Sequence, residues 1–195
     1  GVVEGAEIAD ASASGAAPSD MIALLAGGSA ALDVLRKAAA GAPRLALADV
    51  HLDAPVPHPP KLLAIGLNYA GHVAETGRDA PQFPVFFNKQ TTCVIGPGDA
   101  IHRPRVSTLL DYEAELGIVI GRRCRHVPRE RAHEVIGGYL ICHDVSVRDW
   151  QFKAPTMTLG KSFDTHGPLG PWLTTPDEIG DPHDLELGTF VNGER

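Results

Sequence analysis

Cysteine is scarce, aromatic side chains are few, and basic charge falls short of acidic charge. The three cysteines (Cys93, Cys124, Cys142) stand far apart with no C-x-x-C pair. That favours free thiols, packed as small apolar residues in a reducing and so cytoplasmic setting, over a disulfide framework or a zinc site. No apolar run is long enough to cross a bilayer. No signal-peptide pattern is visible in these residues, which open on Gly1 rather than a methionine. With 17 Lys and Arg against 24 Asp and Glu, the formal net charge is -7, which argues against nucleic acid or an anionic membrane as partner. What is present is ordinary for a globular protein: 195 residues, 44% hydrophobic and 21% charged, enough to bury a sizeable core.

The first 54 residues read as a small N-terminal region rich in Ala, Gly and Ser. Ser19 is positioned to cap a short helix through Ala26, and Ser29 a second one through Ala40, which Gly41 stops. The stretch from Ala54 to Pro60 carries four prolines and must be extended, because proline fixes its own φ and restrains the residue before it. It marks the entry to the main domain, residues 55–195. Strand candidates there are Leu62–Gly66, Val85–Phe87, Glu113–Ile120, Gly138–Cys142 and Trp172–Thr174, with one helix expected over Arg129–Ile136 after Pro128. Strands outnumber helices, so the expected fold class is α+β and β-dominated, with a few short helices, rather than a doubly wound sheet.

The segment Leu110–Ile120 is the richest in chemistry. On a strand, Tyr112, Ala114, Leu116, Ile118 and Ile120 share one face, expected to be the core face, while Glu113 and Glu115 share the other. Two like charges held that close repel, and either a cation or solvent must offset them. Asp144 follows the apolar run Tyr139–Cys142 and is a turn-capping residue or part of a site. Three carboxylates without sulfur or paired histidines make a hard, oxygen-rich set suited to Mg²⁺, Mn²⁺ or Ca²⁺. His72 and Glu75 lie three apart on a short helical stretch. They form either a solvated pair of about 0.2–0.5 kcal/mol or a histidine oriented by a carboxylate, the arrangement of a general base. Gly160-Lys161-Ser162 looks like the end of a phosphate-binding loop, but Pro155 stands where that motif needs glycine, so the nucleotide reading fails. The arginines from Arg122 to Arg131 read as a solvated turn.

Four segments in this order resemble the fumarylacetoacetate hydrolase family. They are Gly66-Leu67-Asn68-Tyr69 with His72 and Glu75; Asp111-Tyr112-Glu113-Ala114-Glu115-Leu116; Asp144 to Gln151; and Gly160-Lys161-Ser162-Phe163. The resemblance implies a mixed β-sheet roll and a metal triad of Glu113, Glu115 and Asp144. It implies a water-activating dyad of His72 and Glu75, an enolate-stabilising Lys161, and substrate contacts from Arg148 and Gln151. Lys89, after Phe86-Phe87-Asn88, reads as a weaker pocket candidate or equally a surface lysine, and Asp149 as a structural partner of an arginine. The implied protein is a metal-dependent hydrolase or lyase of a small 2-oxo or β-diketo acid, pairing as a homodimer. Hydrolytic C–C cleavage of an acylpyruvate or fumarylpyruvate from aromatic-compound catabolism is the expected reaction. Isomerisation or decarboxylation of unsaturated dicarboxylates, and dehydration or hydrolysis of 2-oxo sugar acids, use the same motifs. His143 and Val147 depart from the asparagine and alanine usual at those positions. The family pattern also implies a further strand-rich portion beyond Arg195, so the expected domain is incomplete at its C-terminal end and an inactive metal-binding fragment is an alternative.

Overall fold

A computed structural model describes residues 1–77 and 79–195. The N-terminal residues form a three-stranded antiparallel sheet of β1 (Val2–Glu4), β2 (Glu7–Ala9) and β3 (Arg44–Ala46). Against it lies α2 (Gly28–Ala40), with Ala9, Ala11 and Ala39 buried beside Leu35 and Val2, while α1 (Met21–Ala26) packs on α2. Both helices fall where the sequence places them, but their caps differ. Asp20, not Ser19, accepts from the Ala23 amide at 2.7 Å, and Gly27 rather than Ser29 precedes α2. The three short strands escape the sequence because three residues carry too little alternation to detect.

The main domain begins with the hairpin β4 (Leu62–Gly66) and β5 (Val85–Lys89), between which lies α3 (Ala70–Thr76). A four-stranded sheet follows, built from β6 (Val94–Ile95), β8 (Ala114–Ile120), β9 (Ile136–His143) and β11 (Gly167–Thr174), in the order β6-β11-β9-β8. Two short strands, β7 (Leu110–Asp111) and β10 (Ser146–Val147), pair beside it. Short helices α4 (Arg148–Gln151), α5 (Thr158–Lys161) and α6 (Pro176–Ile179) complete the elements. The expected helix over Arg129–Ile136 is a 3₁₀ segment ending at Val135, and Ile136 already belongs to β9.

One side of the four-stranded sheet carries the core: Leu140, Cys142 and Leu169 with Val94, Val119 and Leu173, closed by Ala54. Ala54 reaches it because the 52–54 chain passes over Gly96, where a Cβ would stand 2.4 Å from the Leu52 carbonyl. Register pairs Glu115 with Cys142 and Gly117 with Leu140, so the glutamates lie on the core side. This corrects the expected core face. Tyr112, Ile118 and Ile120 point outward at 51%, 54% and 56% exposure, together with Ile141. The outward residues are as apolar as the inward ones, so alternation alone cannot say which face is covered. Cys93 and Cys142 are buried as expected, but Cys124 is exposed in the turn after β8.

Candidate metal centre and active site

Antiparallel pairing of β8 with β9 assembles the acids. Ala114 faces His143 and Glu115 faces Cys142; one step further the Asp144 amide donates to the Glu113 carbonyl at 2.9 Å. Glu113, Glu115 and Asp144 therefore project from adjacent strands on one side, and a carboxylate oxygen of each lies within 4.8 Å of the others. Asp144 is 1% exposed. Side-by-side anions in so dry a place demand cations.

Lys161, itself buried, supplies one. Its Nζ donates to both Glu113 oxygens at 2.9 and 2.8 Å and to Asp144 Oδ2 at 2.9 Å. Lys89, on the inner face of β5, donates to Asp144 Oδ1 at 2.6 Å and to the carbonyl of Lys161. Its ammonium is thus committed to holding Asp144 and α5 in place, and its burial sets aside the reading of Lys89 as a surface lysine. Arg148 likewise faces inward: it donates to Glu113 Oε1 at 2.6 Å, Asp111 Oδ2 at 2.7 Å and Gln151 Oε1 at 3.0 Å. Gln151 is buried and oriented by this bond.

Two site residues were missed in the sequence. Asp111 anchors Arg148 from the short β7–β10 pairing, and the Ser146 hydroxyl stands 3.1 Å from Glu113 Oε1. Asp111 stood inside the most telling motif; Ser146 carried no signal. Asp149, expected to hold an arginine, instead accepts from the Ser107 hydroxyl at 2.5 Å.

Glu115 has no hydrogen bond or ion pair among the described residues. Burial, then the charges of Asp144 and Glu113, push its carboxyl up to about 7. A carboxyl without a cation partner among the described residues, beside two carboxylates and offering the same hard oxygen donors, fits a divalent cation that would displace its proton. The residues present thus suit a metal, and the ammonium of Lys161 already takes up part of the positive charge the site calls for.

His72 and Glu75 sit together on α3, with Nδ1 and Oε2 3.7 Å apart. Both are exposed, and among the described residues neither bonds to the triad. The structure gathers Glu113, Glu115, Asp144, Lys161, Lys89, Arg148 and Gln151 into one cluster and leaves the His72–Glu75 pair on a separate, solvent-facing helix.

Residues 61–195 match the family model for the fumarylacetoacetate (FAA) hydrolase C-terminal domain. The chain belongs to the fumarylacetoacetate hydrolase family. It is 41% identical over 181 residues to the mitochondrial oxaloacetate tautomerase Fahd2a of Rattus norvegicus, covering 92% of this chain and 58% of that protein. The fold superposes on maleylpyruvate hydrolase from Sphingobium sp. SYK-6, solved in complex with manganese(II) and pyruvate, with TM-score 0.76 at 36% identity, covering 93% of this chain and 66% of that one. It also superposes on 5-carboxymethyl-2-hydroxymuconate delta-isomerase from Mycobacterium smegmatis, with TM-score 0.61 at 47% identity, covering 68% of this chain and 53% of that one. The chain spans about half the length of the curated relatives it matches, 50% for a Burkholderia cenocepacia protein. Membership agrees with the strand-rich α+β fold and with an acidic triad suited to a divalent metal.

Proposed function

We propose that this chain carries the metal centre of an enzyme acting on a small 2-oxo or β-diketo acid, with hydrolytic C–C cleavage of an acylpyruvate as its reaction. The observation that carries this is the triad of half-buried Glu113 and Glu115 and buried Asp144, with Lys161 bonded to Glu113 and Asp144. A divalent metal, Mg²⁺ or Mn²⁺, held by those three carboxylates supplies Lewis-acid polarisation and a template for the 2-oxo acid. The protein's own groups supply the rest. His72, turned by Glu75, takes the proton from a water whose oxygen bonds to the distal acyl carbon. The adjacent C–C bond then breaks, its electron pair passing to the pyruvyl fragment as an enolate, which is protonated on release. Lys161 holds a fixed positive charge beside that developing oxyanion. Asp111, Arg148 and Lys89 keep Glu113 and Asp144 from swinging away. The likeness to a maleylpyruvate hydrolase solved with manganese and pyruvate supports this reading.

A steady-state assay on acylpyruvates with Mn²⁺ tests it. Turnover by the chain, lowered by about 10²–10⁴ in His72→Ala, is the expected result; activity untouched by His72→Ala removes that residue from the mechanism. A second reading draws on the exposure of His72 and Glu75 and on the absence, among the described residues, of any bond from them to the triad: enolisation alone, as in an isomerase or tautomerase, needs only a proton moved on and off the enolate. The likeness to an isomerase and a tautomerase supports it. Product NMR across acylpyruvates and unsaturated dicarboxylates separates the two, since only hydrolysis yields pyruvate and a second acid. We carry a cytoplasmic setting and pairing with a second copy as further parts of the proposal.

A further inference from the structure

α3 is the least supported element near the site. Its seven residues bury no side chain, and its N-cap residue, Tyr69, makes no side-chain capping bond. Leu67, two residues earlier, sits at φ 54, in the left-handed region that a leucine rarely adopts. The chain leaves β4 through this kink and starts the helix at once. What ties the helix entrance to the body is the phenol of Tyr69, whose oxygen accepts from the Leu116 amide at 3.0 Å.

The position of that bond gives it meaning. β8 is an edge strand of the four-stranded sheet, so an amide pointing away from β9 has no strand partner. Tyr69 fills that vacancy one residue from Glu115. Burial raises the Tyr69 phenol above its usual range; the Leu116 bond opposes that shift and the charge of Glu115 adds to it. Three residues further on, the same helix carries His72. We infer that Tyr69 is the positioning residue that ties α3, and with it the His72–Glu75 pair, to the edge of β8 next to Glu115, through the hydrogen bond that its hydroxyl accepts from the Leu116 amide. The inference rests on the reading of His72 as the water-activating base. Tyr69 acts only through the placement of α3 and touches none of the reacting atoms.

Tyr69→Phe removes the hydroxyl and leaves the ring, so the fold is retained. Amide hydrogen exchange on the 195-residue chain is expected to quicken at Leu116 and through residues 70–76, with the melting temperature and the Kd for Mn²⁺ unchanged. With an acylpyruvate, kcat is expected to fall roughly tenfold with little change in KM, the loss a misplaced catalytic group gives. In a His72→Ala background, adding Tyr69→Phe is expected to cost nothing more, because residues acting as one unit are not additive. Unchanged exchange at 70–76, or a fully additive loss in the double variant, overturns the inference. A wild-type chain with no turnover contradicts the proposed reaction instead; the exchange data then decide the Tyr69 anchor by themselves.

Discussion

Glu115 is the residue on which the chemistry turns. A carboxyl raised from its ordinary 4.5 to about 7 binds a proton in the folded protein that the unfolded chain has already lost. Its linkage therefore runs opposite to that of a salt-bridged acid: the stability it contributes is present at low pH and lost as pH rises through about 7. The same proton must leave before Glu115 can ligate a metal. Mn²⁺ affinity measured by calorimetry is accordingly expected to climb by about tenfold per pH unit from pH 5.5 and to level off above about 7. In buffers of differing ionisation heat, the same experiment should show about one proton released per metal at pH 6. A flat profile would mean that Glu115 is already ionised or is not a ligand. The pairing of Glu113 with Glu115 was legible from strand alternation alone, since residues two apart must share a face. The commitments of Lys89 and Arg148 were not, because their partners lie 55 and 37 positions away in the chain and nothing local marks them.

At the scale of elements, the site depends on two four-residue helices packed almost without a gap. Gly160 in α5 lies against α4 so closely that a Cβ would stand 2.4 Å from the Gln151 nitrogen, 2.5 Å from its Cα and 2.8 Å from the Val147 carbonyl, all backbone atoms. None of these can swing aside. Gly160→Ala must push α5 off α4 and carry Lys161, the next residue, away from Glu113 and Asp144. Overpacking of this kind costs about 1–3 kcal/mol, and urea denaturation should register it, with turnover falling further than the loss of folded protein explains. A variant with wild-type stability and activity would show that the α4–α5 contact can open to admit a methyl group. The strands of the main domain were largely readable: Leu62–Gly66 falls on β4, and the expected Glu113–Ile120 begins one residue before β8. The N-terminal sheet was not readable, because β1, β2 and β3 owe their existence to one another rather than to any pattern within three residues.

For the whole molecule, the sheet has a filled side and an uncovered one. Ile118, Ile120, Ile141 and Trp172 crowd the outward face at 38–57% exposure, an apolar patch of a kind that marks an association surface. Sedimentation velocity is expected to show the chain self-associating through it, and the double variant Ile118→Glu, Ile141→Glu to shift it toward monomer with Mn²⁺ affinity kept; a monomeric wild type removes the pairing from the account. Sequence could supply the residues of this face but not its exposure, since Leu116, Ile118 and Ile120 read as core until the opposite side is seen to hold Val119, Leu140 and Cys142. Above all, three acids on adjacent strands form one divalent-metal site in this reading. It is tested most directly by calorimetric titration of Mn²⁺ at pH 8 into the wild-type chain and into Glu115→Gln. One Mn²⁺ per wild-type chain, and affinity at least about tenfold weaker for Glu115→Gln, are expected. Equal binding by the two proteins, or no binding by either, would contradict it.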